Sequence, residues 1–594
     1  MFKGHVAGDL GHAESKLQLL LKGLILAGMA CLALALFLGW DHCTAAFDYL
    51  WAHPWARPLL IMGTVLFAVN LAALAWRIYL TWTYRSATPC ADGELPPVTV
   101  IVPAFNEGEQ VAEALRSVLA SDYPAKKLQI IAVDDGSQDD TWYWMQRAHS
   151  EAPERIMLVQ QPRNMGKRHA LYEGFKRGDG EIFVTIDSDS MVLADTVRNL
   201  VSPIVRDSKV GAVAGNVRVL NRKQGLIPRM MEVSFTFSFD FIRASQSRVN
   251  TVICTPGALS AYRHKAVLPV LEKWLRQTFM GRPANIGEDR AMTNLILSRG
   301  YHVHFQRNAV VYTEVPTTYK NLCKMFLRWA RSNVRESLAM TRFIFKDFRS
   351  TPKAGARINF ILEALNLTII QALKLAGLAG LAAAPLGMGI NLALGALLGG
   401  AMLGIFYVIM HRNSTAAWGL PYGLYNLLSL SWISTYALCT PQNSGWLTRS
   451  ISNAAKQPCK AAWGWRPAAQ WATAMALSLF IGSGGALALS TPAAMSTPQG
   501  LHQPSGPVAA TVRQNGHPAW SFRAAGMETP LGLGPITLNK VEMDMYKNGR
   551  LVSRVRADQA VLDLANESVI TLSGRVRFQP SRQAARSLSS GLSS

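Results

Sequence analysis

The sequence predicts an α/β domain that is inserted between membrane-spanning helices and followed by a small all-β domain. Three observations indicate this fold class. About five apolar runs are each long enough to cross a bilayer as a helix. The region 96–320 alternates short runs rich in Val and Ile with helix-like segments. After a linker rich in Pro, Gly, Ser and Ala, the chain continues in short alternating runs typical of strands.

The composition favours a membrane protein over a nucleic-acid-binding protein. The 594 residues carry a formal net charge of +22, yet only 16% are charged and 49% are hydrophobic. A basic and apolar chain is typical of a membrane protein with basic cytoplasmic faces. No helix-turn-helix, zinc-finger or basic-zipper pattern occurs, so we expect no nucleic-acid partner. The seven cysteines are scattered and lack metal-ligand spacing, so we interpret them as isolated thiols.

Charge on the flanks of the apolar runs predicts the topology. The predicted spans are 19–40, 59–80, 358–384, 388–410 and 467–489. The apolar stretch 419–440 has basic residues on both flanks, so a crossing there would oppose the positive-inside tendency. We therefore interpret 419–440 as an interfacial or re-entrant helix. Five spans then place 96–350 in the cytoplasm and the chain after about residue 490 outside.

These boundaries divide the chain into eight segments. They are 1–95, an N-terminal membrane region with two spans; 96–320, a cytoplasmic α/β domain; 321–356, interfacial helices; 357–411, two transmembrane helices; 412–466, an interfacial helix and a loop; 467–489, the last span; 490–517, a linker; and 518–594, an extracytoplasmic β domain and tail.

The α/β domain begins with four short apolar runs, VTVIVPAF, LQIIAVDD, RIMLVQ and EIFVTID. Helix-like segments such as 108–121 and 138–149 lie between them. Strands that alternate with helices predict a mostly parallel sheet covered by helices on both faces. In such a sheet the ligand binds at the carboxyl ends of the strands.

Four acidic motifs fall in this domain, and three of them directly follow predicted strands. Each motif alone is ordinary for a loop or a helix N-cap. Together, at the edge where α/β sheets bind ligands, they indicate a functional site. Their polar residues are Asn106 and Glu107, Asp134 and Asp135, Asp187 and Asp189, and Glu288 and Asp289.

The acidic motifs suit the transfer of a group from a nucleotide diphosphate. Asp187 and Asp189, in IDSDS, can present two carboxylates to a divalent cation. An attacking hydroxyl needs a separate carboxylate as general base, for which Asp289 is the candidate. Lys167 and Arg168, in RNMGKRHAL, stand near a predicted helix start and suit a diphosphate. A solvated basic turn is the alternative interpretation of that run.

Polar residues also interrupt the third predicted span. Asn359, Glu363, Asn366 and Lys374 lie inside or at the entry of an apolar helix. Glu363 and Lys374 are eleven residues apart, which is three helical turns, so they share one face. Intramembrane charges usually face a water-filled path, and we favour a channel lining. A buried Glu–Lys pair that joins helices, or snorkelling from the span ends, is the alternative.

The order of motifs resembles that of membrane-integrated family 2 glycosyltransferases. The motifs are PAFNE, VDDGSQDDT, NMGKRHAL, IDSDS, GNVRVLN, TPGALSAYR, GEDRAMTN, TEVP and RWARS. They resemble the hyaluronan synthases and the chitin-oligosaccharide synthases of nodulating bacteria over roughly 96–340, and again from LPYGLYNLLSLSWISTYALCT to WLTRS. The resemblance implies a GT-A fold, a UDP-sugar donor, Mg²⁺ or Mn²⁺, inversion at the anomeric carbon, and a channel that secretes the growing polysaccharide.

The resemblance also implies roles for single residues. Asp134 or Asp135 would contact the uridine and Lys167 the diphosphate. The full candidate set is catalytic Glu288 and Asp289; nucleotide-binding Asn106, Glu107, Asp134, Asp135, Lys167, Arg168, Asp187, Arg328, Trp446 and Arg449; metal-binding Asp187 and Asp189; and acceptor- or channel-lining Trp329, Glu363 and Lys374.

The run KMFLRWARSNVRES has two interpretations. Alone, it is typical of a basic amphipathic helix on an anionic membrane surface. The resemblance instead implies that Trp329 stacks on the acceptor sugar and that Arg328 faces the diphosphate. Met325 stands where the family has Gln, and a thioether cannot donate a hydrogen bond. WLTRS resembles a gating loop in which Trp446 and Arg449 close over the nucleotide, with Leu447 where Gly is usual.

The tail, with RVRADQAVLDLANESVITLSGRVRF, resembles periplasmic proteins of lipopolysaccharide transport over about 519–580. That resemblance implies the inner membrane of a Gram-negative bacterium and a periplasmic or outer-membrane export partner. We therefore expect a processive polysaccharide synthase that exports its own product. The alternatives are a transferase that adds one sugar to a lipid carrier, and an envelope scaffold whose transferase domain is inactive.

Overall fold

The computed structural model describes most of residues 40–443 and the strands of a C-terminal sheet. The chain divides into two compact units, Met1–Gly482 and Ser483–Ser594. Most of the predicted span 19–40, all of 467–489, and the candidates Trp446 and Arg449 lie outside the described residues. The described ranges are 27–28, 31, 34, 37–38, 40–54, 56–383, 385–443, 508–514, 517–528, 536–547, 550–562, 570–573 and 575–580.

The α/β domain is built on one eight-stranded sheet. Its strands are β1 Val98–Ala104, β2 Leu128–Asp134, β3 Ile156–Gln160, β4 Ile182–Ile186, β5 Ser190–Val192, β6 Val210–Val219, β7 Leu259–Arg263 and β10 His302–Thr313; a separate hairpin pairs β8 Thr278–Phe279 with β9 Arg282–Pro283. The strand order is β3-β2-β1-β4-β7-β6-β10-β5. The four runs predicted as strands form β1 to β4.

This sheet is mixed, whereas the sequence predicted a mostly parallel one. β1 pairs in parallel with β2 and β4, and β2 pairs in parallel with β3. β7 runs antiparallel between β4 and β6, and β5 runs antiparallel beside β10. Because β7 is antiparallel to β4, it begins where β4 ends, with Leu259 opposite Ile186. The loop before β7 thereby reaches the carboxyl edge of the sheet, where the acidic motifs lie.

Helices cover both faces of the sheet and continue into the apolar region. In the described part of the chain, the α-helices are α1 Trp40–Ala52, α2 Arg57–Thr83, α3 Gln110–Leu119, α4 Thr141–Glu151, α5 Lys167–Arg177, α6 Thr196–Arg206, α7 Leu226–Thr236, α8 Ile242–Arg248, α9 His264–Val267, α10 Leu271–Leu275, α11 Glu288–Ser298, α12 Tyr319–Ile344, α13 Ala354–Leu367, α14 Ile369–Ala383, α15 Pro385–His411, α16 Gly419–Tyr425 and α17 Trp432–Cys439. Wider π-helical turns, Phe237–Phe241 and Asn426–Leu430, join α7 to α8 and α16 to α17. The predicted helices 108–121 and 138–149 correspond to α3 and α4.

The central strands are buried on both faces. Alternate residues of β1 enter different apolar clusters: Val98, Val100 and Val102 join α3 and α6 on one face, and Ile101 joins α5 and α11 on the other. A strand buried on both faces has apolar residues at nearly every position, whereas a half-buried strand alternates apolar and polar residues. β1, β2 and β4 have the continuous apolar pattern.

Three helices in the described residues are long and apolar enough to cross a membrane. They are Arg57–Thr83, Ala354–Ala382 and Gly387–His411, and they correspond to the predicted spans 59–80, 358–384 and 388–410. The second of them is divided at Thr368, the C-cap residue of α13, which has φ −117° and ψ −75° and separates α13 from α14. The stretch 419–440 forms the shorter helices α16 and α17, which pack on α15 and α12. Its interfacial position stays a prediction.

The second unit contains an antiparallel sheet. Its strands are β11 Val508–Gln514, β12 His517–Glu528, β13 Ile536–Lys547, β14 Arg550–Leu562, β15 Ile570–Ser573 and β16 Arg577–Pro580. They follow the order β11 to β15, and β16 also pairs with β14. The tail runs predicted as strands form β14 to β16. β11 lies inside the predicted linker 490–517, because pairing with β12 gives strand structure to a segment whose own composition indicated a linker.

Candidate active site

One cavity of about 810 Å³ lies in the first unit, at the carboxyl edge of the sheet. This volume is at the upper end of the range of about 300–1,000 Å³ that small-molecule sites span. One end is lined by acidic residues of the strand-end loops and of α11, and the other by polar residues of α13 and α14. Both π-helical turns contribute to the wall, through Phe239 and through Asn426 and Leu430. The cavity therefore joins the sheet edge to the apolar helices.

Most of the candidate residues that the structure describes line this one cavity. Three do not: Asn106, Asp134 and Arg168. Trp446 and Arg449 lie outside the described residues. The candidates in the wall are Glu107, Asp135, Lys167, Asp187, Asp189, Glu288, Asp289, Arg328, Trp329, Glu363 and Lys374.

The paired aspartates after β2 have separate positions. Asp134 is fully buried and accepts hydrogen bonds from the Ser137 N–H, at 3.0 Å, and from Gln160 Nε2, at 3.2 Å. Asp135 faces the cavity and accepts the N–H groups of Met165 and Gly166, both at 2.8 Å. Burial raises the pKa of Asp135 to about 6 despite these two bonds. Of the two, Asp135 is therefore the residue that can reach a ligand in the cavity.

Asn106 and Arg168, both predicted to bind nucleotide, point elsewhere. Asn106 is exposed in a left-handed conformation, and its Oδ1 accepts the Gln138 N–H at 2.9 Å. Arg168 is buried, donates to the Trp274 carbonyl at 2.6 Å, and lies 5.2 Å from the centre of the Trp274 ring. Successive residues of a helix point in different directions. Lys167 therefore enters the cavity while Arg168 contacts Trp274 of α10.

Lys167 is the first residue of α5 and lies among the carboxylates of the site. Its ammonium pairs with Asp187 and lies 3.6 Å from Glu288 Oε1. Burial alone would lower the pKa of Lys167, but Asp187 and Glu288 outweigh burial and the pKa is raised. A Cβ atom on Gly257 would lie 2.8 Å from the Lys167 Nζ. The loop before β7, which contains TPGALS, therefore closely approaches this ammonium.

Asp187 and Asp189 follow β4 and both line the cavity. Glu107 joins them indirectly, since its Oε1 accepts the Ser188 hydroxyl at 2.9 Å. In the described ranges, no group of three acidic, histidine or cysteine side chains is arranged to hold a metal ion. Two carboxylates with a substrate diphosphate still form an all-oxygen ligand set, which suits Mg²⁺ or Mn²⁺. The residues present therefore fit a metal that substrate helps to bind.

Glu288 and Asp289 form the first turn of α11. The residue before them, Gly287, has a φ of 75°, and a Cβ there would overlap Ser332 of α12. Trp274 donates its indole N–H to the Glu288 carbonyl at 2.7 Å and so fixes the start of the helix. Burial and the neighbouring Glu288 charge raise the pKa of Asp289, against the opposing effects of Lys167 and Arg328. A raised carboxyl pKa is suitable for a general base near neutral pH.

Trp329 stands in an aromatic wall of the cavity rather than on an open surface. Its ring centre lies 6.0 Å from Phe235, 6.3 Å from Phe239 and 5.7 Å from Phe326. Met325, one turn earlier on α12, is buried and lines the same cavity. The wall is apolar and aromatic, which suits the faces of a pyranose ring.

The polar residues of the third predicted span line the far end of the cavity. Glu363 Oε1 pairs with Arg290 Nη2 at 2.5 Å. Lys374 donates to Ser434 Oγ at 2.9 Å and to Gln371 Oε1 at 3.2 Å. The alternative of a Glu363–Lys374 ion pair is therefore wrong, because each side chain has another partner. Both line one cavity, although the helix is interrupted between them, and their role as a channel lining stays a prediction.

Sequence reasoning missed three arginines in the cavity wall. Arg77 lies within the long apolar helix α2, so the rule that intramembrane charges face a polar path could have found it. Arg243 is buried and lies 4.1 Å from the centre of the Phe239 ring. Arg290 directly follows Asp289. Sequence gives no local signal for the role of Arg290, because its side-chain partners Asn333, Ser337 and Glu363 are distant in the chain.

Comparison with known proteins identifies the family. A family described as "Glycosyltransferase like family 2" matches residues 96–332. An N-acetylglucosaminyltransferase of Rhizobium meliloti (strain 1021) is 32% identical over 371 residues, which are 61% of this chain and 84% of the relative. The chain belongs to the family 2 glycosyltransferases. An N-acetylglucosaminyltransferase of Rhizobium leguminosarum bv. viciae is 31% identical and covers 65% of this chain and 93% of its own length.

Family membership makes the protein a glycosyltransferase, and the enzyme class predicted from the motifs is confirmed. Among solved structures, the mannosyltransferase PcManGT from Pyrobaculum calidifontis in complex with GDP-Man and Mn²⁺ is 24% identical with a TM-score of 0.42. It covers 62% of this chain and 99% of its own. The family membership and the position of the cavity at the carboxyl edge of a mixed α/β sheet now make the cavity the candidate active site of a glycosyltransferase.

Proposed function

We propose that this glycosyltransferase polymerises N-acetylglucosamine from UDP-N-acetylglucosamine and passes the product between its membrane helices. The observation that carries the proposal is the single cavity that contains Lys167, Asp187 and Asp289 at one end and Glu363 and Lys374 at the other. The names of the relatives supply the sugar. A polar path that enters apolar helices suits a glycan leaving the site.

The proposed reaction is an inverting displacement. An acceptor hydroxyl, with its sugar on Trp329, attacks the anomeric carbon of the donor and transfers its proton to Asp289. The bond from that carbon to the diphosphate oxygen breaks as the new glycosidic bond forms, and UDP leaves. Lys167 and Arg328 stabilise the charge of the leaving diphosphate. Asp187 and Asp189 would hold Mg²⁺ or Mn²⁺, whose charge would offset that of the diphosphate.

The apolar helices and the tail support a proposed location for the enzyme. Three helices long and apolar enough to cross a membrane support a multi-pass protein of the bacterial inner membrane with a cytoplasmic active site. The tail resembles periplasmic proteins of lipopolysaccharide transport, and this resemblance supports a periplasmic second unit that contacts an export partner. Trp446 and Arg449 are proposed to close over the nucleotide.

Product analysis tests the proposed function. Purified full-length protein in proteoliposomes is incubated with UDP-N-acetylglucosamine and Mn²⁺, and nucleotide release and product size are measured. A panel of other UDP- and GDP-sugars provides the comparison. A ladder of oligosaccharides protected from an added chitinase is expected. Products with one added sugar would support the lipid-carrier alternative, and release from another donor only would overturn the proposed sugar.

A further inference from the structure

Arg290 connects the candidate base to the apolar helices. It directly follows Asp289 at the start of α11, and its side chain is 5% exposed. Its guanidinium donates to Asn333 Oδ1 at 2.7 Å and to Ser337 Oγ at 2.9 Å, and it pairs with Glu363 Oε1 at 2.5 Å. A buried guanidinium needs such partners because an unpaired buried charge is strongly destabilising. Arg290 therefore links the start of α11, which the Trp274 hydrogen bond also holds, to Glu363 of α13.

Only one oxygen of Glu363 is used by protein groups. Oε1 accepts from Arg290 and, at 3.4 Å, from Ser337, whereas Oε2 is buried and has no hydrogen-bond partner among the described residues. Asn359, one helical turn earlier on α13, is 1% exposed, and in the described structure neither polar atom of its amide has a partner. Both side chains line the cavity that contains Trp329 and Asp289.

These unpaired groups suit the hydroxyls of a sugar. Buried polar atoms are nearly always hydrogen-bonded, so a buried amide and a carboxylate oxygen without protein partners indicate a ligand. The amide offers two donors and an acceptor, and the carboxylate offers an acceptor, which together match vicinal hydroxyl and acetamido groups. Residues four apart on a helix lie about 5–6 Å apart between Cβ atoms, a spacing that one pyranose ring spans.

We propose that Asn359 and Glu363 form a sugar-binding subsite, and that Glu363 acts through Arg290 as a positioning residue for Asp289. This inference rests on the proposed function. A sugar bound at Glu363 Oε2 holds that carboxylate in place, the carboxylate holds Arg290, and the start of α11 is held with it. Acceptor binding thereby aligns the base, and donor hydrolysis in the absence of acceptor is disfavoured.

The test uses full-length protein with UDP-N-acetylglucosamine as donor and chitotriose as acceptor. Glu363→Gln keeps the side-chain shape but removes the charge that holds Arg290. Transfer kcat should fall by about 100-fold, since misplacing a reacting group by about 1 Å can cost that much. UDP affinity should stay unchanged, which would show that the variant is folded.

Asn359→Ala tests the sugar subsite and should raise the KM for chitotriose by about tenfold without changing the donor KM.

Glu336→Gln is the matched control. Glu336 is a buried carboxylate of α12 that accepts from Asn294 of α11 at 3.1 Å, but it does not line the cavity. Its loss should lower thermal stability and leave the transfer kcat near that of the wild type. If Glu336→Gln lowered the transfer kcat as much as Glu363→Gln, general loosening of α11 would explain both and the inference would be wrong.

A double-mutant cycle tests the route through Arg290. If Glu363 acts through Arg290, the loss of kcat in the Arg290→Gln/Glu363→Gln double variant should be much smaller than the product of the single losses. Independent, multiplicative losses would overturn the coupling. Wild-type protein that hydrolyses the donor without transferring sugar to chitotriose would contradict the proposed function. Normal transfer by the wild type, with an unchanged transfer kcat in Glu363→Gln, would contradict this inference alone.

Discussion

The ammonium of Lys167 pairs with the carboxylate of Asp187 at the carboxyl edge of the central sheet. Lys167 begins α5 and Asp187 follows β4, so two elements bring opposite charges to one point in the cavity. A diphosphate with its divalent cation carries both charges as well: the cation suits Asp187 and the phosphate oxygens suit Lys167. We therefore expect the pair to separate on substrate binding, each partner taking the matching charge of the ligand.

The first prediction concerns the metal. Asp189→Ala should remove the Mn²⁺ dependence of UDP binding, because one of the two carboxylates available to the ion is lost. Isothermal titration of UDP with and without Mn²⁺ measures this dependence. Asp179→Ala is the control, since this exposed aspartate precedes the amino end of β4, away from the cavity. Equal Mn²⁺ dependence in wild type and Asp189→Ala would place the metal elsewhere.

The second prediction concerns the base. Asp289→Asn keeps the shape of the side chain and removes its basicity, so kcat should fall by about 10²–10⁴-fold. UDP affinity should stay near that of the wild type, because Lys167 and Asp187 remain. Transfer assays and UDP titration on the same preparation separate the two effects. Substantial polymer formation by Asp289→Asn would sink the assignment.

The third prediction concerns pH. Asp289 must be deprotonated to accept a proton, and its pKa is raised, so kcat/KM should rise with pH through that raised pKa. The acid limb should therefore lie above about pH 4, where an ordinary carboxyl titrates. Asp135, with a pKa of about 6, is the other candidate for this limb. In Asp135→Asn the limb should persist at reduced activity; its disappearance would assign the limb to Asp135.

The fourth prediction concerns the aromatic wall. Trp329→Ala should stop elongation while UDP binding and slow donor hydrolysis continue, because water needs no stacking surface. Losing the sugar–aromatic contact should cost about 1 kcal/mol or more of acceptor binding, and poor alignment should lower the rate further. Trp329→Phe is the matched variant and should retain part of the elongation. Normal polymer length from Trp329→Ala would return this helix to a membrane-surface role.

The fifth prediction concerns topology. In a variant whose seven native cysteines are replaced by serine, single cysteines introduced in 441–466 should be labelled from the cytoplasmic side, and one placed at position 594 from the outside. The reason is the concentration of Lys and Arg residues before 467 and the absence of Lys and Arg between Pro467 and Val512. Labelling of intact cells with a membrane-impermeant thiol reagent, compared with broken cells, measures both positions. Reaction of both on one side would overturn the five-span topology.

Sequence by itself determined the features that depend on local order. Continuous Val and Ile runs gave β1 to β4, because strands buried on both faces need apolar residues at every position. The shared position of the acidic motifs then followed from the direction of the chain. Residues that follow parallel strands meet at one edge of the sheet, and Asp135 and Asp187 do line one cavity there. The apolar length of α2 and α15 indicated membrane spans, since about 20 residues cross a bilayer.

Only the tertiary structure decided which polar groups face the site. Adjacent residues of identical chemistry, such as Asp134 and Asp135, separate because Asp134 accepts a hydrogen bond from Gln160 of the neighbouring strand, whereas Asp135 faces the cavity. Three other features were also decided by tertiary contacts. β7 runs antiparallel to β4, Arg168 turns away from the cavity to Trp274, and Glu363 pairs with Arg290. Each depends on contacts between residues tens of positions apart, and the partner of a buried charge is set by packing, on which local sequence carries no signal.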